Sequence, residues 1–183
     1  MAPVVQSDII IRPLKASDVD DIRSLHSLVL PVQYPPAFFT QLLVFPSRAC
    51  LIAVCRSQPN SPIAFISAAL HASSPQGIPN FSATKALDSP PPRIEVLTLG
   101  VLPAFQNRGL ARRLIEAVVD RLSGPLTVGI LVYANVVATN AVAIKFYESI
   151  GLRVSSDIIP NFYRTCPHGQ REAYLVAGRL KHL

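Results

Sequence analysis

The chain contains no tryptophan, one methionine and three cysteines, and only 15% of its 183 residues are charged. A typical soluble protein carries roughly 25% charged residues. Three cysteines cannot pair completely and no secretory signal precedes them, so a disulfide scaffold is not expected and a reducing, cytoplasmic setting is. Its apolar stretches are interrupted by Pro, Gly, Ser or Asn well short of the ~18 residues a membrane helix needs, so no membrane span is expected. Cys50 and Cys55 fall five apart on one predicted strand, with side chains on opposite faces, which suits neither a metal pair nor a disulfide. Cys166-Pro167-His168 has no second pair nearby, and no metal site is expected. His26 lies on an amphipathic helix and reads as structural.

What the chain does have is aliphatic bulk. Hydrophobic residues make up 50%, enough to bury a full core in one ordinary domain and too many for a disordered chain. The net charge is +6, compatible with phosphate-bearing ligands, nucleic acid or an acidic surface. The positive charges form no stripe, so specific nucleic-acid recognition is not expected.

Residues 1–8 carry no periodic pattern and read as a disordered lead-in. Ile9 to Arg12 is a short strand stopped by Pro13. Ser17-x-x-Asp20 reads as a helix start, and Val19, Ile22, Leu25 and Val29 recur at helical steps until Pro31. A second helix is predicted from Pro36 to Val44. Cys50 to Cys55 and Ile63 to Leu70 read as a hairpin closed by Gln58-Pro59-Asn60-Ser61. From His71 to Pro92 the composition changes to five prolines and four serines with few charges, a density that neither helix nor strand tolerates. Residues 72–92 are therefore read as a loop inserted between two strands of one sheet. Strand Ile94 to Leu102, helix Arg108 to Leu122, strand Leu126 to Ala134 and helix Ala138 to Ile150 follow, the last closed by Gly151. Leu152 to Asp157 and Arg171 to Val176 are the final strands. The predicted order is β α α β β β α β α β β.

The segment richest in chemistry is Val101-Leu102-Pro103-Ala104-Phe105-Gln106-Asn107-Arg108-Gly109-Leu110-Ala111, a strand and turn in which Gln106-x-x-Gly109-x-Ala111 opens a helix. Unpaired N–H groups and the positive end of the dipole make such a start an anion site. Gly109 and Ala111 leave the backbone open to a phosphate, and Arg108, Arg112 and Arg113 add charge. The segment resembles the acetyl-CoA pyrophosphate loop of the GNAT N-acetyltransferases. Asn140-Ala141-x-Ala143-x-x-Phe146-Tyr147-x-x-x-Gly151-Leu152 is similar to that family's second conserved helix and the strand after it. The resemblance implies an α/β single-domain GNAT fold over residues 9–180: a mixed, mostly antiparallel sheet, split at the acetyl-CoA strand and flanked by about four helices.

Three further segments are similar to the NatE-type catalytic subunit of N-terminal acetyltransferases. They are Leu30-Pro31-Val32-Gln33-Tyr34, Thr98-Leu99-Gly100-Val101 and Asn161-Phe162-Tyr163-Arg164. By this resemblance Leu30, Pro31, Val32 and Tyr34 shape a pocket for an initiating methionine, and Phe162 and Tyr163 close over the peptide backbone. Leu30 replaces an aromatic of that pocket, and Phe162 lacks its counterpart's hydroxyl.

The resemblance also implies direct attack of an α-amine on acetyl-CoA, with no metal. Acetyl-CoA would be bound by backbone groups of Leu99 and Val101 and by Gln106, Asn107, Arg108, Gly109, Leu110, Ala111, Arg112, Asn140, Ala143 and Tyr147, and Tyr147 would serve the departing thiolate. The amine must lose a proton. Where the NatE-type enzyme has a tyrosine this chain has Glu95, spaced from Gln106 as the catalytic glutamate of the histone-acetylating branch is, and Glu95 is taken as the base. The family's second relay residue, a histidine, falls at Tyr133 if Val136-Val137 is an insertion and at Asn135 otherwise; Tyr133 is preferred, as a group that orients water.

The implied activity is acetylation of peptides that begin with Met. The alternatives are acetylation of lysine side chains or small amines, and a weakly active CoA-binding subunit of a ribosome-associated complex. Implied partners are the peptide N-terminus, an auxiliary subunit and the ribosome, with the chain monomeric when alone.

Overall fold

The computed structural model describes residues 8–71, 92–124, 130–163 and 171–180; all of the expected lead-in (1–8) but Asp8, whose carbonyl accepts the Arg56 N–H at 2.8 Å, and nearly all of the proline-rich insert (72–91) lie outside them. The elements are β1 (Ile9–Pro13), α1 (Val19–Val29), α2 (Pro36–Val44), β2 (Arg48–Cys55), β3 (Gln58–His71), β4 (Arg93–Val101), α3 (Leu110–Ser123), β5 (Leu131–Val137), α4 (Ala141–Ser149), β6 (Leu152–Val154) and β7 (Ala173–Arg179), with 3-10 turns at Ala16–Asp18 and Pro103–Phe105. The order matches that read from the sequence. The seven strands form one mixed sheet in the order β1-β2-β3-β4-β5-β7-β6. β4 and β5 are parallel, while β1–β2, β5–β7 and β6–β7 are antiparallel.

Contacts within this sheet and its helices cluster into two compact units, Met1–Ala68 with Thr98–Leu122 and Ala69–Leu97 with Ser123–Leu183. In the first, β2 is buried from Ala49 to Cys55, as a strand covered on both faces should be. Phe65, Ile66, Ile52 and Ile22 are fully buried, each contributing about 1.5–3 kcal/mol of burial. α1 starts differently from the Ser17-based expectation. Asp18 turns inward, accepts the Lys15 N–H at 2.8 Å and takes a two-pronged bond from Arg12 at 2.7 and 2.9 Å. These bonds hold the Asp18 carboxyl below the usual carboxylate range, the Arg12 bond foremost.

In the second unit, β5 is laced to β7 from Leu131↔Arg179 through Val137↔Ala173 without a break. Tyr133, Leu175 and Ala177 form a buried cluster with Ile159 against it. The strand predicted over Leu126 to Ala134 ends later, since the β7 ladder carries β5 on to Val137; its predicted start, in 125–129, lies outside the described residues. α4 accordingly starts later than predicted, at Ala141, where the Asn140 side chain caps it by accepting the Ala143 N–H at 3.0 Å.

Other boundaries moved as well: β6 stops at Val154 instead of Asp157, and β7 runs over Ala173–Arg179 instead of Arg171 to Val176. The β2–β3 turn is Arg56-Ser57, so Gln58 to Ser61 belong to β3. β3 also runs one residue past the predicted end and includes His71, which composition had grouped with the insert. α3 starts at Leu110 because Asn107 and Gly109 both take positive φ, 59° and 71°.

His26 is structural, as read. It is 3% exposed and stacks on Phe65 with ring centroids 3.9 Å apart. Its Nε2 lies 3.5 Å from Thr98 Oγ1, which shares a 2.6 Å hydrogen bond with Ser67. Burial pushes its pKa from 6.5 down to about 3. Between those values the unfolded chain binds the proton that the folded chain refuses, so stability is full above pH 6.5 and falls toward acid, by at most about 1.4 kcal/mol per pH unit. Urea unfolding from pH 8 to pH 4 should show this slope, and a His26→Phe variant should lose that part of it. Gly100 gives a second expectation. A Cβ there would meet Phe65 Cζ at 2.5 Å and Val29 Cγ2 at 2.6 Å, so Gly100→Ala should lower stability by about 1–3 kcal/mol, read as a lower urea midpoint.

Candidate active site

β4 organises the site through strand alternation. Ile94, Val96, Thr98 and Gly100 are buried, whereas Arg93, Glu95, Leu97, Leu99 and Val101 are partly exposed. The parallel ladder to β5 covers only Arg93↔Leu131 through Val96↔Ala134, and β4 runs on to Val101 without it.

In the second unit this register sets Glu95 opposite Tyr133. The Tyr133 hydroxyl donates to Glu95 Oε2 at 3.3 Å. Burial first, and the charge of Glu95 second, push the Tyr133 phenol above its ordinary value, so it stays protonated and serves as a donor, not a base. A third residue joins them: His71 Nε2 stands 2.9 Å from the same Oε2. A carboxylate can only accept, so Nε2 carries the hydrogen. The Glu95 side chain keeps 23% exposure and that of His71 39%. His71 was missed by the sequence reading. Asn135, the other position considered for the relay residue, accepts a 2.7 Å bond from the Tyr163 hydroxyl through its backbone carbonyl.

The other expected residues of this unit are placed as follows. Tyr147 is 6% exposed on α4, its ring 5.3 Å from that of Phe146. Asn140 caps α4, and Ala143 supplies the capped N–H. Phe162 is 41% exposed and packs edge-on to Tyr163 at 4.9 Å. Arg164 and Cys166-Pro167-His168 lie outside the described residues.

In the first unit, Gln106 donates to the Val101 carbonyl at 3.0 Å, which folds the turn back onto the end of β4. Residues Gln106 to Gly109 are exposed. The first backbone bond of α3 runs from Arg113 N–H to the Gly109 carbonyl at 3.1 Å, so the preceding amides of the helix start are without helical acceptors. Left-handed Asn107 and Gly109 curl the loop before them. Arg108 lies over the Phe105 ring, 5.6 Å from its centroid. Leu110 is 3% exposed and can offer a ligand only its backbone. Ala111 is partly buried. Arg112 is paired with Glu116 at 3.1 Å, so its charge is partly neutralised. The loop fits a pyrophosphate: it is open, free of bulky side chains at Gly109 and Ala111, and lined by amides.

Also in the first unit, a hollow of about 590 Å³ is lined by Val32, Gln33, Tyr34, Phe39 and His26, with Asp20, Arg23, Ser24 and Ser27. Tyr34 packs on Phe38 at 4.5 Å. Leu30 and Pro31 are not on its wall, and its polar lining is richer than an all-apolar methionine pocket would have. Among the described residues, no group of three or more His, Cys, Asp or Glu could hold a metal ion, and no helix is long and apolar enough to cross a membrane.

Residues 19–152 match the model of the acetyltransferase (GNAT) family. The chain is 30% identical over 146 residues to the histone acetyltransferase MCC1 of Arabidopsis thaliana, covering 78% of itself and 59% of that protein. It is 26% identical to an N-alpha-acetyltransferase of Saccharolobus solfataricus, over 94% of each chain. In structure it is similar to Arabidopsis thaliana NAA60 in complex with acetyl-CoA, with TM-score 0.81, 26% identity and coverage of 93% of this chain and 98% of that one. The same relative in complex with a bisubstrate analogue gives TM-score 0.77 and 28% identity, over 94% and 99% of the two chains. With the fold, the amide-lined loop and these matches together, the chain belongs to the GNAT acetyltransferase family.

Proposed function

We propose that the chain is an acetyl-CoA-dependent N-alpha-acetyltransferase, with Glu95 as its general base and peptides that begin with Met as its substrates. The observation that carries this reading is the state of Glu95: Oε2 is held by donors from two neighbouring strands while the side chain keeps access to solvent. A buried structural carboxylate would be enclosed, and a surface one would not be held from two sides. The same strand leads within a few residues to the amide-lined loop, so one stretch from Glu95 to Ala111 carries both the base and the anion site.

In this reading the amine nitrogen attacks the thioester carbonyl carbon, the C–S bond breaks and the new C–N bond forms. Glu95 takes the proton that nitrogen must lose. The backbone N–H groups of Leu99 and Val101 serve the carbonyl oxygen as it gains charge. Tyr147 gives a hydrogen bond or proton to the departing thiolate. The pyrophosphate rests on residues 106–111, with Asn140 and Ala143 at the second helix start. Val32 and Tyr34, on the wall of the hollow, receive the first side chain, with Leu30 and Pro31 in the loop that leads to them, and Phe162 and Tyr163 flank the peptide. The N-alpha assignment draws on the matches to the archaeal N-alpha-acetyltransferase and to NAA60, each spanning nearly the full length of both chains.

A second reading, transfer to lysine side chains, has its own support in the glutamate at position 95 and in the MCC1 match, although the chain spans only 59% of that relative. For partners, the reading includes an auxiliary subunit and the ribosome, whose anionic surface the net charge of +6 would favour. A cytoplasmic location fits the two buried free thiols Cys50 and Cys55.

A peptide panel with labelled acetyl-CoA separates the readings. Met-first α-amines should be acetylated in clear preference to internal lysines; equal rates would remove the N-alpha assignment, and CoA binding without turnover would leave only a binding subunit. Glu95→Gln should lower kcat by about 100-fold or more with acetyl-CoA affinity retained. Full kcat in that variant would exclude Glu95 as the base.

A further inference from the structure

We propose that His71 is a positioning residue of the reaction: with Tyr133 it fixes Oε2 of Glu95 and thereby selects Oε1 as the atom that takes the proton from the substrate amine. This rests on the reading of Glu95 as the base given above. The two contacts reach Glu95 from different strands, Nε2 of His71 from β3 at 2.9 Å and the Tyr133 hydroxyl from β5 at 3.3 Å, and both end on Oε2. Oε1 has no hydrogen-bond partner among the described residues.

A glutamate side chain has three rotatable bonds, and an unrestrained carboxylate presents either oxygen in many directions. Two donors on one oxygen restrain the group and leave the second oxygen as the acceptor of the proton. The donors differ in kind. Tyr133 is almost fully enclosed, at 2% exposure, and its phenol stays protonated. The His71 side chain is 39% exposed, so its outer ring edge meets solvent while Nε2 holds the carboxylate. The step balances simply. One N–H bond of the attacking amine breaks, one O–H bond forms at Oε1, and His71 and Tyr133 keep their own hydrogens throughout. The proton leaves Oε1 to water after the acetylated product departs.

The role predicts an effect on turnover that passes through Glu95. His71→Leu should lower kcat roughly tenfold with the KM values for peptide and acetyl-CoA unchanged. His71→Gln, which keeps an N–H donor at the ε position, should recover most of that loss, and imidazole added to His71→Ala should restore turnover in a saturable manner. In a Glu95→Gln background, His71→Leu should cost nothing further. Wild-type kcat in His71→Leu overturns the role, as does an undiminished loss on top of Glu95→Gln, or a loss that Gln and imidazole fail to relieve. Turnover by the unsubstituted chain that survives His71→Leu overturns this role alone; absence of turnover on every amine tested overturns the proposed function and this role with it.

Discussion

The alternation of β4 is the constraint on which the rest depends. One strand of nine residues has to serve two environments, and a period of two is the means by which it does so. Its even-numbered residues, Ile94, Val96, Thr98 and Gly100, are committed to packing; Gly100 is pressed so closely by Phe65 and Val29 that no side chain fits. Its odd-numbered residues are thereby released to the other face, and Glu95, Leu99 and Val101 are among them. A slip of one residue would bury the carboxylate and expose Ile94 and Val96. Core packing therefore selects the register, and the register decides which side chains leave the core.

Burial divides the two described histidines in the same way. His26 is stacked on Phe65 and its Nδ1 is buried with no hydrogen-bond partner, which drives the ring to the neutral form and keeps it out of proton chemistry. His71, at the end of β3, is open to solvent on one edge and faces a carboxylate on the other. Residue type alone would rank them equally as candidate bases. Enclosure and partner decide that one is packing material and the other belongs to a polar cluster.

The sequence made the element order legible, because helical and strand periodicities are local. It also made the loop at Gln106 to Ala111 legible, since Gly109 takes the left-handed conformation that its residue type allows. Glu95 could be singled out because a carboxylate in Ile94-Glu95-Val96-Leu97 is conspicuous. What could not be read was pairing. The contact of His71 with Glu95 joins positions 24 apart, across the proline-rich stretch, and composition drew the boundary of that stretch at His71 itself. Proline density says where regular structure is excluded, but the β-ladder decides how far the preceding strand runs. The choice between Tyr133 and Asn135 had the same origin. Both residues point to the same side of β5, and only the register with β4 shows that Tyr133 stands opposite Glu95.

The register also explains why a glutamate is workable at position 95. A carboxylate on a mostly apolar strand is costly to desolvate unless it gains donors. Here the neighbouring strands provide a phenol and an imidazole, and both bonds fall on one oxygen, so the group is stabilised without being used up. On the proposed reading of Glu95 as the base, an arrangement that loads Oε2 leaves Oε1 to take the proton. It does so with groups that a tyrosine at position 95 would not require, and the histidine on β3 and the tyrosine on β5 are in this sense companions of the glutamate between them.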